Sequence, residues 1–417
     1  MNINHFFILK IAAVLVFAGS AVFAAKATTE TTKAAAPVAT VAKSTKDAPL
    51  SDAQKFYGTE LKSSKKVVHP PYAWGDCTVC HKDAKGEKGL IMDPPELCAM
   101  CHEAKDTKKF IHGPVAAGAC TTCHNPHESD NAKLLVASSI NELCVSCHQD
   151  KDEFLRKTTH IHPPVKDQCT NCHDPHTEDH LFQLKADGKK DLCVMCHVEK
   201  EIWTKTVTDK HGALNRPRKC LECHDPHGSE NPKFLIKDTS KELCLTCHSQ
   251  PVTTDETGEK LMDIGKHLEN NPDWHGPILW GDCAACHNPH GSNNLRMLNK
   301  PFPRTFYEAF DEDNYICFQC HEKEKIMDQN TTTATNFRNG SVNMHFIHVN
   351  KEKGRSCRAC HDFHGTKEYP HHLRAKTQFG KINFPIRFIE SENGGSCAPA
   401  CHARRHYDKV TPKVNLK

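Results

Sequence analysis

Cys220-Leu-Glu-Cys-His-Asp-Pro-His-Gly-Ser229 is the stretch from which the rest of this 417-residue chain can be read. Two thiols stand three residues apart, an imidazole follows the second directly, and another imidazole comes three residues later. The core of this pattern recurs along the chain, at Cys77/Cys80/His81, Cys98/Cys101/His102, Cys120/Cys123/His124, Cys144/Cys147/His148, Cys169/Cys172/His173 and Cys193/Cys196/His197. It continues at Cys220/Cys223/His224, Cys244/Cys247/His248, Cys283/Cys286/His287, Cys317/Cys320/His321, Cys357/Cys360/His361 and Cys397/Cys401/His402. All 24 Cys are used. Eleven motifs are C-x-x-C-H, and the twelfth, Cys397-Ala-Pro-Ala-Cys-His402, has one extra residue.

C-x-x-C-H is the attachment motif for c-type haem. Two thiols about a helical turn apart can add to the two vinyl groups on one porphyrin edge. The next imidazole then reaches the iron as proximal ligand. Disulfide pairing does not explain a His after every second Cys. A structural zinc site needs four ligands drawn from two motifs, and thioredoxin-like pairs come once per domain. The expected cofactor is therefore haem c, in twelve copies, with no disulfide.

The motifs alternate between two contexts, so the repeating unit is a pair. Odd members carry an upstream His (His69, His112, His162, His211, His275 and His348), and five carry a second His three residues after the motif (His127, His176, His227, His290 and His364). Even members follow an acidic–leucine cue, as in Asn141-Glu-Leu-Cys144, which predicts short helices; turns are expected at the Asn-Pro and Asp-Pro steps. These eleven His are the expected distal ligands. The twelfth is expected from His371, His372 or His406, whereas His160, His180, His267 and His345 read as solvated. Three residues span at most about 10 Å, so His127 should serve a haem other than the one at His124, namely its pair partner. The upstream His can serve its own motif or a neighbour.

At Cys220–Ser229 the sequence resembles the doubled-CxxCH family of multihaem cytochromes c, including periplasmic subunits of porin–cytochrome conduits. The resemblance runs from His69 to His406. It implies electron transport along a haem chain in anaerobic or extracellular respiration. The partners it implies are other redox proteins, an outer-membrane porin and further multihaem cytochromes. Three departures stand out: Lys82-Asp83-Ala84 where Pro-His would fall, Phe363 for Pro, and the longer twelfth spacer.

Composition agrees with a cofactor-built protein. Hydrophobic residues make up 38% with every Cys counted, aromatics 7%, and mean hydropathy is −0.61, too little apolar surface to offset the entropy of ordering such a chain. The fold class expected is irregular, mainly short α-helices and loops wrapped around a chain of covalently bound haems, repeat-like and with little β. Residues 1–24 read as a signal peptide and 25–66 as a flexible Ala/Thr/Lys/Pro tether. An eight-haem part at 67–250 and a four-haem part at 251–417 follow. The division rests on His275-Gly-Pro-Ile-Leu-Trp-Gly-Asp-Cys283 echoing His69-Pro-Pro-Tyr-Ala-Trp-Gly-Asp-Cys77. The protein is expected in the periplasm, with outer-membrane association or release from the cell as alternatives.

Function narrows to three classes. An electron carrier or conduit leads. A multihaem reductase for nitrite, hydroxylamine or a sulfur oxyanion needs an open iron; no C-x-x-C-Lys occurs, and only His402 has an unclear partner. An extracellular haem filament is the third. The formal charge of +3 is outweighed by two propionates per haem, so an acidic holoprotein with no affinity for nucleic acid is expected.

Overall fold

A computed structural model describes residues 63–254 and 258–415. The signal peptide and the tether up to residue 62 lie outside the described residues. The polypeptide is mostly turns and short pieces of structure, set by local chemistry repeated pair after pair. Four of the six odd motifs are preceded by a helix of about one turn that starts with Pro at its first or second position: Pro70–Ala73, Gly113–Ala116, Pro163–Asp167 and Gly276–Leu279. Proline fits there because the first helical N–H groups have no partner to lose. The odd Cys pairs then sit on 3-10 turns, such as Cys120–Thr122 and Cys169–Asn171.

Four even motifs begin on short α-helices, Glu96–Ala99, Ile140–Val145, Asp191–Val194 and Ser240–His248. The acidic–leucine cue is partly a capping signal. The Ser139 hydroxyl accepts the N–H of Glu142, and the Thr239 hydroxyl that of Glu242, both at 3.1 Å, which satisfies one of the orphan donors of a helix start. The expectation of helices fails at the last two even motifs. Cys317 lies on the 3-10 turn Ile316–Gln319, and Cys397 ends the strand Gly394–Cys397.

Two-residue antiparallel ladders stitch each pair to the next. Val67–Val68 pairs with Glu128–Ser129, Phe110–Ile111 with Thr177–Glu178, and His160–Ile161 with Gly228–Ser229. Asp273–Trp274 pairs with Gly365–Thr366, and the Asp209–Ser292 bridge fills the same place between the fourth and fifth pairs. Longer strands occur only near the C-terminal end of the described residues. There Lys376–Phe379 and Ile382–Pro385 form a hairpin, and Gly394–Cys397 lies between Ile389–Ser391 and Arg405–Asp408.

A side-chain core is nearly missing. The buried apolar residues are Val207, Leu268, Ile278, Tyr315, Ile326, Val349, Ala359 and Ile386, so among the described residues before 207 there is none. What the chain encloses instead is one continuous space of about 6100 Å³, lined by all 24 Cys and by the His of every motif. No helix among the described residues is long and apolar enough to cross a membrane.

Candidate haem sites

From the third motif on, the imidazole after each odd motif is held by a recurring turn. His124 bridges to Leu135, His173 to Leu184, His224 to Leu235, His287 to Leu298 and His361 to Leu373. The turn closing each bridge has two successive residues at positive φ: Lys133/Leu134, Phe182/Gln183, Lys233/Phe234, Arg296/Met297 and His371/His372, all between 52° and 60°. Left-handed backbone at non-glycine residues is costly and persists where the surroundings demand it. Here it aims a carbonyl at the imidazole. The Nδ1–H of His124 donates to Lys133 O, His173 to Phe182 O, His224 to Lys233 O, His287 to Arg296 O and His361 to His371 O, at 2.8–3.0 Å. With Nδ1 carrying the proton, Nε2 keeps its lone pair for a metal.

The step after the motif does three things. The side-chain oxygen of Asn125, Asp174, Asp225, Asn288 or Asp362 accepts the N–H of the His two residues on, at 2.9–3.1 Å. The carbonyls of Pro175, Pro226 and Pro289 accept from Nδ1 of His112, His162 and His211, at 2.9–3.0 Å. Meanwhile the backbone joins the two kinds of free His, with the N–H of His69, His112 and His162 donating to the carbonyl of His127, His176 and His227. At the departure Phe363, His275 still donates its N–H to His364 O, and its ring meets the edge of the His372 ring.

These constraints bring the imidazoles together two by two. Upstream His face the even motif of their own pair: His69 with His102, His112 with His148, His162 with His197, His211 with His248 and His275 with His321. Downstream His face the odd motif of the preceding pair: His127 with His81, His176 with His124, His227 with His173, His290 with His224 and His364 with His287. Centroids are 6.0–6.4 Å apart and planes within 22° of parallel in these ten. Two metal–nitrogen bonds of about 2 Å each, plus the depth of each ring, require roughly this separation around one bis-imidazole iron. The rings therefore fit a six-coordinate haem. The expectation that His127 serves its own pair partner is corrected: the ladders carry it back to the previous pair.

The last pair departs from this rule. His345, read from sequence as a solvated residue, is buried and faces His361 at 6.4 Å. Burial holds its pKa down at about 3. His348 lies one turn along the same helix, Met344–Val349, donating Nδ1–H to Met344 O at 2.7 Å. Burial lowers its pKa too, with Arg355 and His402 among the charges that add to the effect. His348 is thus the neighbour of the unusual twelfth motif, whose His402 donates Nδ1–H to Ala403 O at 2.6 Å. The sequence signal for both was the i, i+3 pair of His on one helix face. The candidates His371, His372 and His406 fall elsewhere. His371 and His372 form the left-handed turn at motif eleven, and His406 pairs with Ser396 within the last sheet.

The thiols are ordered as well. Within a pair the second Cys of each motif are electrostatic neighbours, as with Cys80 and Cys101, Cys123 and Cys147, Cys172 and Cys196, Cys223 and Cys247, and Cys360 and Cys401; in the fifth, Cys286 neighbours Cys320. Between pairs the first Cys are close electrostatic neighbours: Cys98 with Cys120, Cys144 with Cys169, Cys193 with Cys220, Cys244 with Cys283, and Cys317 with Cys357. Twelve motifs thus form one unbroken series in chain order.

Motif spacing, paired imidazoles and a fold with almost no core of its own define a multihaem c-type cytochrome. The chain belongs to the doubled CXXCH motif family, whose pattern matches residues 69–107, 112–153, 162–202, 211–253 and 275–326, together just over half of it. Over 108 residues it is 30% identical to the multihaem cytochrome MtrA of Shewanella baltica (strain OS185), a quarter of each protein.

Proposed function

We propose that this protein is an exported, periplasmic cytochrome that binds twelve c-type haems, one per motif, each iron held between two imidazoles. The observation that carries the reading is the unbroken series of neighbouring motifs lining one continuous space. Each haem supplies reversible one-electron iron chemistry; the chain supplies thioethers, axial imidazoles and spacing. Because thiols join the vinyl edge of each porphyrin, neighbouring thiols place successive macrocycle edges together. Haems held there would let electrons hop along the series between motif one and motif twelve. The distal ligands are His69, His112, His162, His211, His275 and His348 from the upstream set, His127, His176, His227, His290 and His364 from the downstream set, and His345. A ligand near every proximal His favours a carrier over a reductase with an open iron. The partners that the resemblance to the doubled-CxxCH family implies are an outer-membrane porin and other multihaem cytochromes.

Haem counting by pyridine haemochrome and intact mass provides the test. Twelve covalent haems are expected in mature protein, against ten if the sixth pair binds none. Ten or fewer, or a disulfide, would overturn the assignment.

A further inference from the structure

Five haem positions take their second imidazole from the His three residues after a motif, and the residue two before that His differs among them. It is Asp174, Asp225 and Asp362 beside His176, His227 and His364, but Asn125 and Asn288 beside His127 and His290. Both types accept the same backbone N–H from the His, at 2.9–3.1 Å, so the turn does not require an acid. The acids do something more. The Asp174 carboxylate lies 3.4 Å from Nδ1 of His176, Asp225 3.7 Å from Nδ1 of His227, and Asp362 4.0 Å from Nδ1 of His364. Those three rings face His124, His173 and His287.

We propose that this Asp/Asn choice sets the relative potentials of the odd haems, holding those at motifs three, five and nine below those at motifs one and seven. The inference rests on the bis-imidazole ligation proposed above. A carboxylate facing the far nitrogen of a metal-bound imidazole increases the ring's electron donation and orients it. Stronger donation and a nearby negative charge both favour Fe(III) over Fe(II) and lower the potential. A neutral amide does neither to the same degree. Asp362 shares its charge with Arg374 and His267, each 3.4 Å away, so motif nine feels the smallest of the three effects. Motif one adds a second difference. Its proximal His81 has a buried Nδ1 without a hydrogen-bond partner, whereas the other odd motifs have a carbonyl there. At the departure Lys82-Asp83-Ala84 the two successive left-handed residues give way to separate positive-φ glycines, Gly86 and Gly89, and Gly86 lies against the ring. Motif one therefore carries the highest potential of these five, with an energy step at the first of the series.

The test is a pair of isosteric exchanges in the full holoprotein, Asp174→Asn and Asn125→Asp, read by potentiometric titration of the visible haem bands. Asp174→Asn should move one-twelfth of the absorbance change to higher potential, and Asn125→Asp one-twelfth to lower potential, with the low-spin signals intact. A companion His176→Ala should create one high-spin haem. If it does, and both exchanges leave the titration curve unmoved, the tuning is wrong while the ligation stands. If His176→Ala leaves every haem low-spin, the ligation it rests on has failed, and the tuning with it.

Discussion

His345 is the residue whose reading changed most between sequence and structure. Nothing in its immediate sequence resembles the downstream His of earlier pairs, and its role depends on a helix that brings it to His361. The neighbouring candidates His371 and His372 were attractive for their position after a motif. They serve through the backbone, and two successive positive φ values are not written in the residue types His-His. His345→Ala should accordingly produce one high-spin, carbon-monoxide-binding haem in the reduced protein. His371→Ala should produce none, since the hydrogen bond of His361 is accepted by the carbonyl at 371, which alanine keeps. Buried ligands also define an acid limit. Burial lowers His290 and His364 to about 4 and His345 to about 3, below the ordinary value of about 6.5. Between those values the unfolded chain binds protons that the native one does not, so stability falls as pH drops from about 6.5 towards 4. Iron on the same nitrogens opposes their protonation further, so low-spin bands should persist through that window and give way to high-spin bands only at lower pH, which an acid titration will follow.

At the scale of elements, the motifs and four of the six even-motif helices were legible because both depend on contacts within a few residues. Ser139 and Thr239 capping Glu142 and Glu242 belong to this local kind. The ladders did not announce themselves. Two residues such as Phe110–Ile111 have no periodicity to read, and their partners lie in the next pair. Loop length alone sends His127 to its own pair partner; the ladder register turns it towards His81 instead. Gly228 tests the ladder. Its φ is +147°, and a Cβ there would meet His160 O at 2.4 Å. Gly228→Val should cost about 1–3 kcal/mol in local strain and loosen both His227 and His162. The expected result is a lower thermal midpoint with high-spin character at no more than two of the twelve haems. Loss spread over all twelve would show that the pairs do not behave as separate units.

For the whole molecule, the small apolar core makes the cofactor part of the fold. Chain produced without haem attachment should be largely unfolded, with no cooperative melt in calorimetry. Charge follows from the same stoichiometry. Without residues 1–24, and with every propionate ionised, the oxidised holoprotein comes to roughly −10 and the reduced form to roughly −22. Isoelectric focusing of the oxidised form should give an acidic band; focusing near the bare chain's pI of 8.0 would mean that the propionates are neutralised.

The forward direction of ligand lending sets an order in time. His127, His176, His227, His290 and His364 each lie in the pair after the motif they face. On the export proposed above, with the N-terminus emerging first, the newest odd iron would lack a sixth ligand until one more pair arrives. His345 and His348 end that debt because the sixth pair provides both of its own. Chains arrested after successive pairs should therefore each show one high-spin iron, always the last odd one. The signal should vanish only when the sixth pair is complete, and electron paramagnetic resonance of such intermediates would reveal it.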